Sequence, residues 1–128
     1  MKWHEIPAKE RGLVKGALRR VFSRSELRKK IIDRNRVEHC DPKRPRVTAW
    51  VWCSICGVVF PRYLAVVDHI QPLLDIGKSL EDVPPTKLVE GLWCDESNLQ
   101  CIDVTCHKAK NKVESRARRE FRKKVKNG

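Results

Sequence analysis

Between Ala8 and Phe22 the apolar side chains fall at Leu13, Val14, Ala17, Leu18, Val21 and Phe22. That three-and-four spacing keeps one helical face greasy, while Lys15, Arg19 and Arg20 line another. Ser25 suits the cap of a second helix in which Leu27, Ile31 and Ile32 turn inward. Asp41-Pro42 and Arg44-Pro45 then break regular structure, so Cys40 to Arg46 reads as a linker. Beyond it the composition changes: Val47 to Ile55 is rich in β-branched and aromatic residues, with Trp50 and Trp52 on one side, and Tyr63 to Ile70 reads similarly. The expectation is short strands around a turn. Pro72 to Trp93 is loop-like with one weakly helical patch, broken by Pro84-Pro85. From Cys106 onward there is no Pro, and no Gly before Gly128, while Ala109, Val113, Ala117, Phe121 and Val125 recur every four residues. This predicts a long C-terminal helix. Trp50, Trp52 and Trp93 are read as core residues.

With 128 residues and 41% hydrophobic side chains, the chain supports one domain with one modest core. It divides into a basic helical N-terminal arm (1–46), a core (47–112) and a basic helical extension (113–128). No apolar run approaches the roughly 18 to 20 residues of a membrane span, and the N-terminus lacks an apolar signal core. A soluble, cytoplasmic protein without a membrane partner is expected. The mean hydropathy of -0.53 and 34% charged residues would permit disorder. Four tryptophans and six cysteines argue instead for an ordered, metal-stapled chain.

Charge adds a partner. The formal net charge of +12 points to a polyanion, nucleic acid first. Residues 1–50 carry 15 basic and 6 acidic side chains, 51–107 carry 3 and 8, and 108–128 carry 10 and 2. An acidic centre between basic arms suits arms that hold phosphates around a centre that uses carboxylates. Carboxylates beside a phosphate make sense mainly around a cation.

Six cysteines without a signal peptide read as reduced metal ligands. Cys53-Ser-Ile-Cys56 followed by Gly57 gives a two-residue bite in which a turn faces both thiolates toward one zinc. A redox motif should instead open a helix, whereas Val58, Val59 and Phe60 read as strand. Cys106, at the start of the last helix, is the third ligand. The fourth is either Asp103, which repeats the two-residue spacing, or Cys101, which has the preferred sulfur chemistry. Both lie on one face of an extended segment, and only one can reach. Cys40 and Cys94 read as free thiols behaving as small hydrophobes.

At Val67-Asp68-His69-Ile70, Asn98-Leu99-Gln100 and Cys106-His107-Lys108-Ala109-Lys110, with the CxxC pair upstream, the chain resembles the zinc-stapled subgroup of the HNH endonuclease family. The likeness covers residues 50–112. Lys15-Gly16-Ala17-Leu18-Arg19-Arg20 and Leu92-Trp93-Cys94 look like segments of small bacteriophage HNH proteins. The resemblance implies an α+β fold with a small ββα-metal core, a zinc knuckle, N-terminal helices and a long basic C-terminal helix. It implies a metal-dependent DNA endonuclease in the cytoplasm of a bacterial host. His69 matches the family's general base, and Asp68 and His107 match the ligands of a divalent cation (Mg²⁺, Mn²⁺ or Ni²⁺). Asn98 matches the residue that pins the histidine loop. One structural Zn²⁺ is the second cofactor.

Asp103 stands where relatives usually carry a second knuckle cysteine, and Asn111 stands where some place another metal-binding histidine. The stretch from Gln71 to Asn98 is longer than usual. Arg19, Arg20, Lys108, Lys110, Arg118 and Arg119 are the candidate DNA contacts. The alternative function is a non-catalytic, zinc-stapled nucleic-acid-binding accessory, for instance in viral genome packaging. A third reading makes the Leu13 to Phe22 face a protein docking surface.

Overall fold

The computed structural model describes residues 1–71 and 83–127. The first part of the segment read as a loop, 72–82, lies outside them. The described chain is a small α+β fold. A 3-10 turn at Trp3–Glu5 leads into α1 (Ala8–Ser23), followed by α2 (Glu26–Arg34), β1 (Arg36–Val37), β2 (Trp50–Trp52) and β3 (Val59–Pro61). A second 3-10 turn at Arg62–Leu64 precedes β4 (Val66–His69); α3 (Pro85–Leu92), a third such turn, β5 (Leu99–Ile102) and α4 (Val104–Asn127) complete the order. The strands form two antiparallel sheets, β1-β2-β3 and β4-β5. In the second, Val67 faces Cys101, Asp68 faces Gln100 and His69 faces Leu99.

The core lies between α2 and the two sheets. Ile31 and Ile32 of α2, Val51, Leu88, Leu99, Cys101 and Ile102 are almost fully buried. Ser25 caps α2 by accepting from the Arg28 N–H at 3.1 Å. Polar side chains of α2 clasp the strands. Arg28 donates to the Ala65 carbonyl at 3.1 Å and Arg34 to the Leu99 carbonyl at 2.9 Å, while Asp33 pairs with Arg62 at 2.9 Å. Just past the helix end, buried Asn35 donates through Nδ2 to the Trp52 carbonyl (2.8 Å) and the Ser54 hydroxyl (2.9 Å). Its own carbonyl accepts from the Trp52 N–H at 3.0 Å.

Several sequence expectations change. In α1, Phe22 is buried and Leu18 packs against the core, but Leu13, Val14 and Val21 are exposed. Lys15, read as solvent-facing, is buried, with its ammonium 5.8 Å from the Trp3 ring centroid. Helical periodicity marks an apolar arc but not which edge of it meets the core; α1 packs on α3 through the Leu18–Phe22 edge, where Phe22 meets Trp93 edge-on at 5.2 Å. Strand pairing limits β2 to Trp50–Trp52, and the stretch before β4 turns through a 3-10 segment. Trp50 is buried against an edge-on His39 at 4.6 Å, whereas Trp52 is 39% exposed. Alternation puts both on one face, but burial follows the cover. Pro84-Pro85 opens α3 instead of breaking structure, because a proline lacking its N–H is tolerated in the first helical turn. Among the described residues no helix is long and apolar enough to cross a membrane.

Asn35→Ala removes two part-buried side-chain hydrogen bonds and leaves the Trp52 carbonyl without its Asn35 partner. It is expected to lower unfolding stability by about 1–3 kcal/mol, read as a lower urea midpoint at unchanged slope.

Candidate metal centre

The hairpin between β2 and β3 presents the first two thiols. Cys53 closes β2 by donating its N–H to the Val58 carbonyl, and Gly57 donates back to the Cys53 carbonyl, both at 2.9 Å. The tight return requires a left-handed residue, and Gly57 has φ of +77°. The other two donors come from the junction of β5 and α4. Asp103 is the residue before α4: its carbonyl accepts from the His107 N–H at 3.0 Å and its Oδ1 from the Cys106 N–H at 2.7 Å. This is helix N-capping, and it explains why α4 begins at Val104 and not at Cys106. One turn of helix then sets Cys106 beside Asp103.

The two halves meet directly. Ser54 donates to the Cys101 carbonyl at 2.9 Å, and the Asp103 N–H points at Cys53 Sγ at 3.5 Å. Ligand atoms of Cys53, Cys56, Asp103 and Cys106 all lie within 4.8 Å of one another. Zinc–sulfur bonds of about 2.3 Å and zinc–oxygen bonds of about 2.0–2.2 Å bring four donors to that mutual range, so the cluster can hold a metal ion such as zinc. The Asp103 carboxylate divides its work: Oδ1 caps α4, while Oδ2 faces the Cys56 sulfur at 3.3 Å. Of the two candidates for the fourth position, Asp103 and not Cys101 stands with the three thiols. Cys101 points into the apolar core, where burial and the neighbouring Cys53 push its thiol up to about 11.

Electrostatics favour a cation here. The Cys106 N–H holds Asp103 below the usual carboxylate range. Loss of water contact, with Cys56 and Asp103 alongside, pushes the Cys106 thiol up to about 12. Burial alone would raise Cys53, but backbone N–H groups of Cys56, Asp103 and Ile55 bring it below its ordinary value. Without a cation the cluster resists carrying several negative charges; a divalent ion removes that resistance and expels the thiol protons.

A second polar cluster lies where β4 meets α3 and α4. Neighbours on a strand point to opposite faces. Asp68 turns to α4: its Oδ2 pairs with Lys110 Nζ at 2.5 Å, and its Oδ1 lies 3.9 Å from His107 Nδ1. That nitrogen is buried and has no hydrogen-bond partner among the described residues. Asn111, one turn on, meets His107 Nε2 at 3.1 Å. Lys110 also donates to the His69 carbonyl and pairs with Glu114 at 3.2 Å. Burial opposes its charge, but Asp68 and Glu114 outweigh that and hold the ammonium above its ordinary pKa.

His69 turns to α3, with Nε2 2.7 Å from the Gly91 carbonyl. A carbonyl only accepts, so this contact places the ring proton on Nε2 and the lone pair on Nδ1. Gly91 sits in the last turn of α3, where carbonyls lack helical partners. Asn98 fastens the chain just after His69: its Oδ1 accepts from the Gln71 N–H and its carbonyl from the Ile70 N–H, both at 2.8 Å.

Asp68, His107 and Lys110 therefore share one cluster, with His69 and Asn98 at its edge. Of the candidate DNA contacts, Arg19, Arg20, Lys108 and Arg119 are exposed. Lys110 is bound to Asp68, and Arg118 is half-buried with an orphaned Nε. Sequence reasoning missed Glu114, Gly91 and Asn35. The Lys110–Glu114 spacing of four along a helix was the available signal for the first; the other two contacts depend on tertiary packing. No family model matches the chain, and no match is found among curated proteins or solved structures.

Purified protein should carry about one tightly held zinc per chain. Cys101→Ala should retain it, whereas Asp103→Asn, which preserves the cap but not the charge, should weaken binding on the order of tenfold or more by chelator competition. Binding should also strengthen as pH rises, because the Cys106 proton must leave, and weaken as pH falls; a flat profile between pH 6 and 8 in the same competition would argue against thiolate ligation.

Proposed function

We propose that the chain is a metal-dependent DNA endonuclease of the HNH kind. The observation that carries the reading is the pair His107 Nδ1 and Asp68 Oδ1, 3.9 Å apart with the nitrogen buried and unpartnered. The gap is too long for a hydrogen bond, but two donors on bonds of about 2.0–2.2 Å can share one divalent ion across it. One carboxylate and one imidazole suit a hard or borderline cation with water in its remaining positions. When bound, the ion would polarise the scissile phosphate and stabilise the leaving 3′ oxygen.

The remaining chemistry belongs to the chain. His69 Nδ1 takes a proton from water, whose oxygen attacks phosphorus as the bond to the 3′ oxygen breaks. The Gly91 carbonyl fixes the tautomer that leaves Nδ1 basic. Asn98 holds the backbone at residues 70 and 71, so the ring cannot swing with a loose loop. The Cys₃Asp cluster bears on the same site, because His107 directly follows Cys106. The antiparallel pair β4–β5, with α3 inserted between the strands and α4 following, is compatible with a ββα core.

A second reading, a zinc-stapled nucleic-acid-binding accessory that does not cut, is favoured by Lys110. Its ammonium already neutralises Asp68 and would repel an arriving cation. Plasmid nicking separates the two. Zinc-loaded protein with Mg²⁺, Mn²⁺ or Ni²⁺ is expected to relax supercoiled plasmid, and His69→Ala to lower the rate by about 10²-fold or more at unchanged melting temperature. Equal rates in that variant would sink the endonuclease reading.

A further inference from the structure

We infer that the outer face of α4 is an anchoring surface for duplex DNA, separate from the segment that meets Asp68 and His69. This rests on the nucleic-acid part of the proposed function and not on cleavage. Lys108, Lys112, Arg116, Arg119, Lys123 and Lys126 are all exposed. At about 100° per residue they fall within an arc of about 80°, as one stripe roughly 27 Å long. That length matches the axial rise of about eight base pairs. Among the described residues, Glu120 approaches the stripe, 3.9 Å from Arg116, with both side chains largely in water, where such a pair holds its cation weakly.

The opposite face of α4 carries His107, Lys110 and Glu114, turned toward β4. Helical geometry therefore separates the cation stripe from the Asp68 cluster by close to half a turn. A duplex lying along the stripe cannot set the same phosphates on Asp68. The stripe holds one stretch of DNA while another, reached by bending or from a second duplex, meets the cluster. A straight row of cations complements a linear polyanion. The exposed apolar residues of α4, Val113, Phe121 and Val125, lie outside the stripe, turned about 100–180° from its centre, so the vesicle comparison below separates duplex DNA from an anionic membrane.

The test compares two triple variants of the zinc-loaded protein, with no other divalent cation added. One neutralises the stripe (Lys112→Gln, Arg116→Gln, Lys123→Gln); the other removes equal charge from exposed sites elsewhere (Lys2→Gln, Lys9→Gln, Lys29→Gln). Fluorescence anisotropy with a 20-base-pair duplex is read across a salt series. The stripe variant should reduce the slope of log K against log salt by about 2.7 and lower affinity on the order of a hundredfold near 0.1 M salt, with the control close to wild type. Matching losses in both variants would show that net charge alone is read, and overturn the inference. So would unaltered duplex binding by the stripe variant, or stronger stripe-dependent binding to double-stranded RNA or anionic phosphatidylserine vesicles than to the DNA. If the slope changes as expected but the plasmid is never nicked, the anchoring surface stands and the endonuclease reading falls.

Discussion

The Asp103 carboxylate joins three parts of this molecule that have little else in common. One oxygen caps α4, the other faces the Cys56 thiol, and the residue's own N–H points at Cys53. No described residue of α4 is fully buried, so apolar packing gives this 24-residue helix little support of its own. An ion shared by the four donors would fix the knuckle and the helix through one set of bonds. The consequence reaches the second cluster, because His107 stands next to Cys106 on the first turn of α4 and its direction is set when that turn is set. Stability and the geometry of the polar site are thus coupled through the same two neighbouring residues.

The second cluster is organised by opposite faces of one strand. β4 sends Asp68 to α4 and His69 to α3, so the carboxylate and the imidazole sit in different surroundings although they are adjacent in the chain. Asp68 lies among donors and cations, Lys110 above all, while His69 is held by a helix-end carbonyl. The ammonium of Lys110 compensates Asp68 and Glu114 together, which keeps two carboxylates tolerable near one another in a partly buried place. Any cation that binds Asp68 enters a site where one ammonium already offsets part of the charge of two carboxylates. Affinity there follows from the difference between two cations, not from the carboxylate alone.

Much of the fold was legible in the chain. α1 and α2 were readable from periodicity, and the α2 start from Ser25, because helix faces and caps are local properties. Three of the four cluster donors were readable from the CxxC spacing and from Cys106. The strands were misjudged in extent: β-branched and aromatic composition marks strand tendency over Val47 to Ile55, but the ladder with β3 takes in only Trp50–Trp52, and that with β1 only Trp50 and Val51. α3 was underread because Pro84-Pro85 looks like a break when the register of a helix start is unknown.

By itself the sequence determined the α+β character, the candidate donors and the uneven charge, since residue type, short-range spacing and net charge are written in the order of the chain. Tertiary structure grouped Asp103 and not Cys101 with the three thiols, because that depends on which side chain β5 turns into the core and which the helix cap turns toward Cys56. It also sorted the basic residues of α4, binding Lys110 to Asp68 and leaving Lys108 and Arg119 on the outer stripe. Those outcomes depend on contacts between segments some forty to fifty residues apart, such as Asp68 with Lys110 and Cys53 with Asp103. Local pattern carries no information about such distances until the chain has folded.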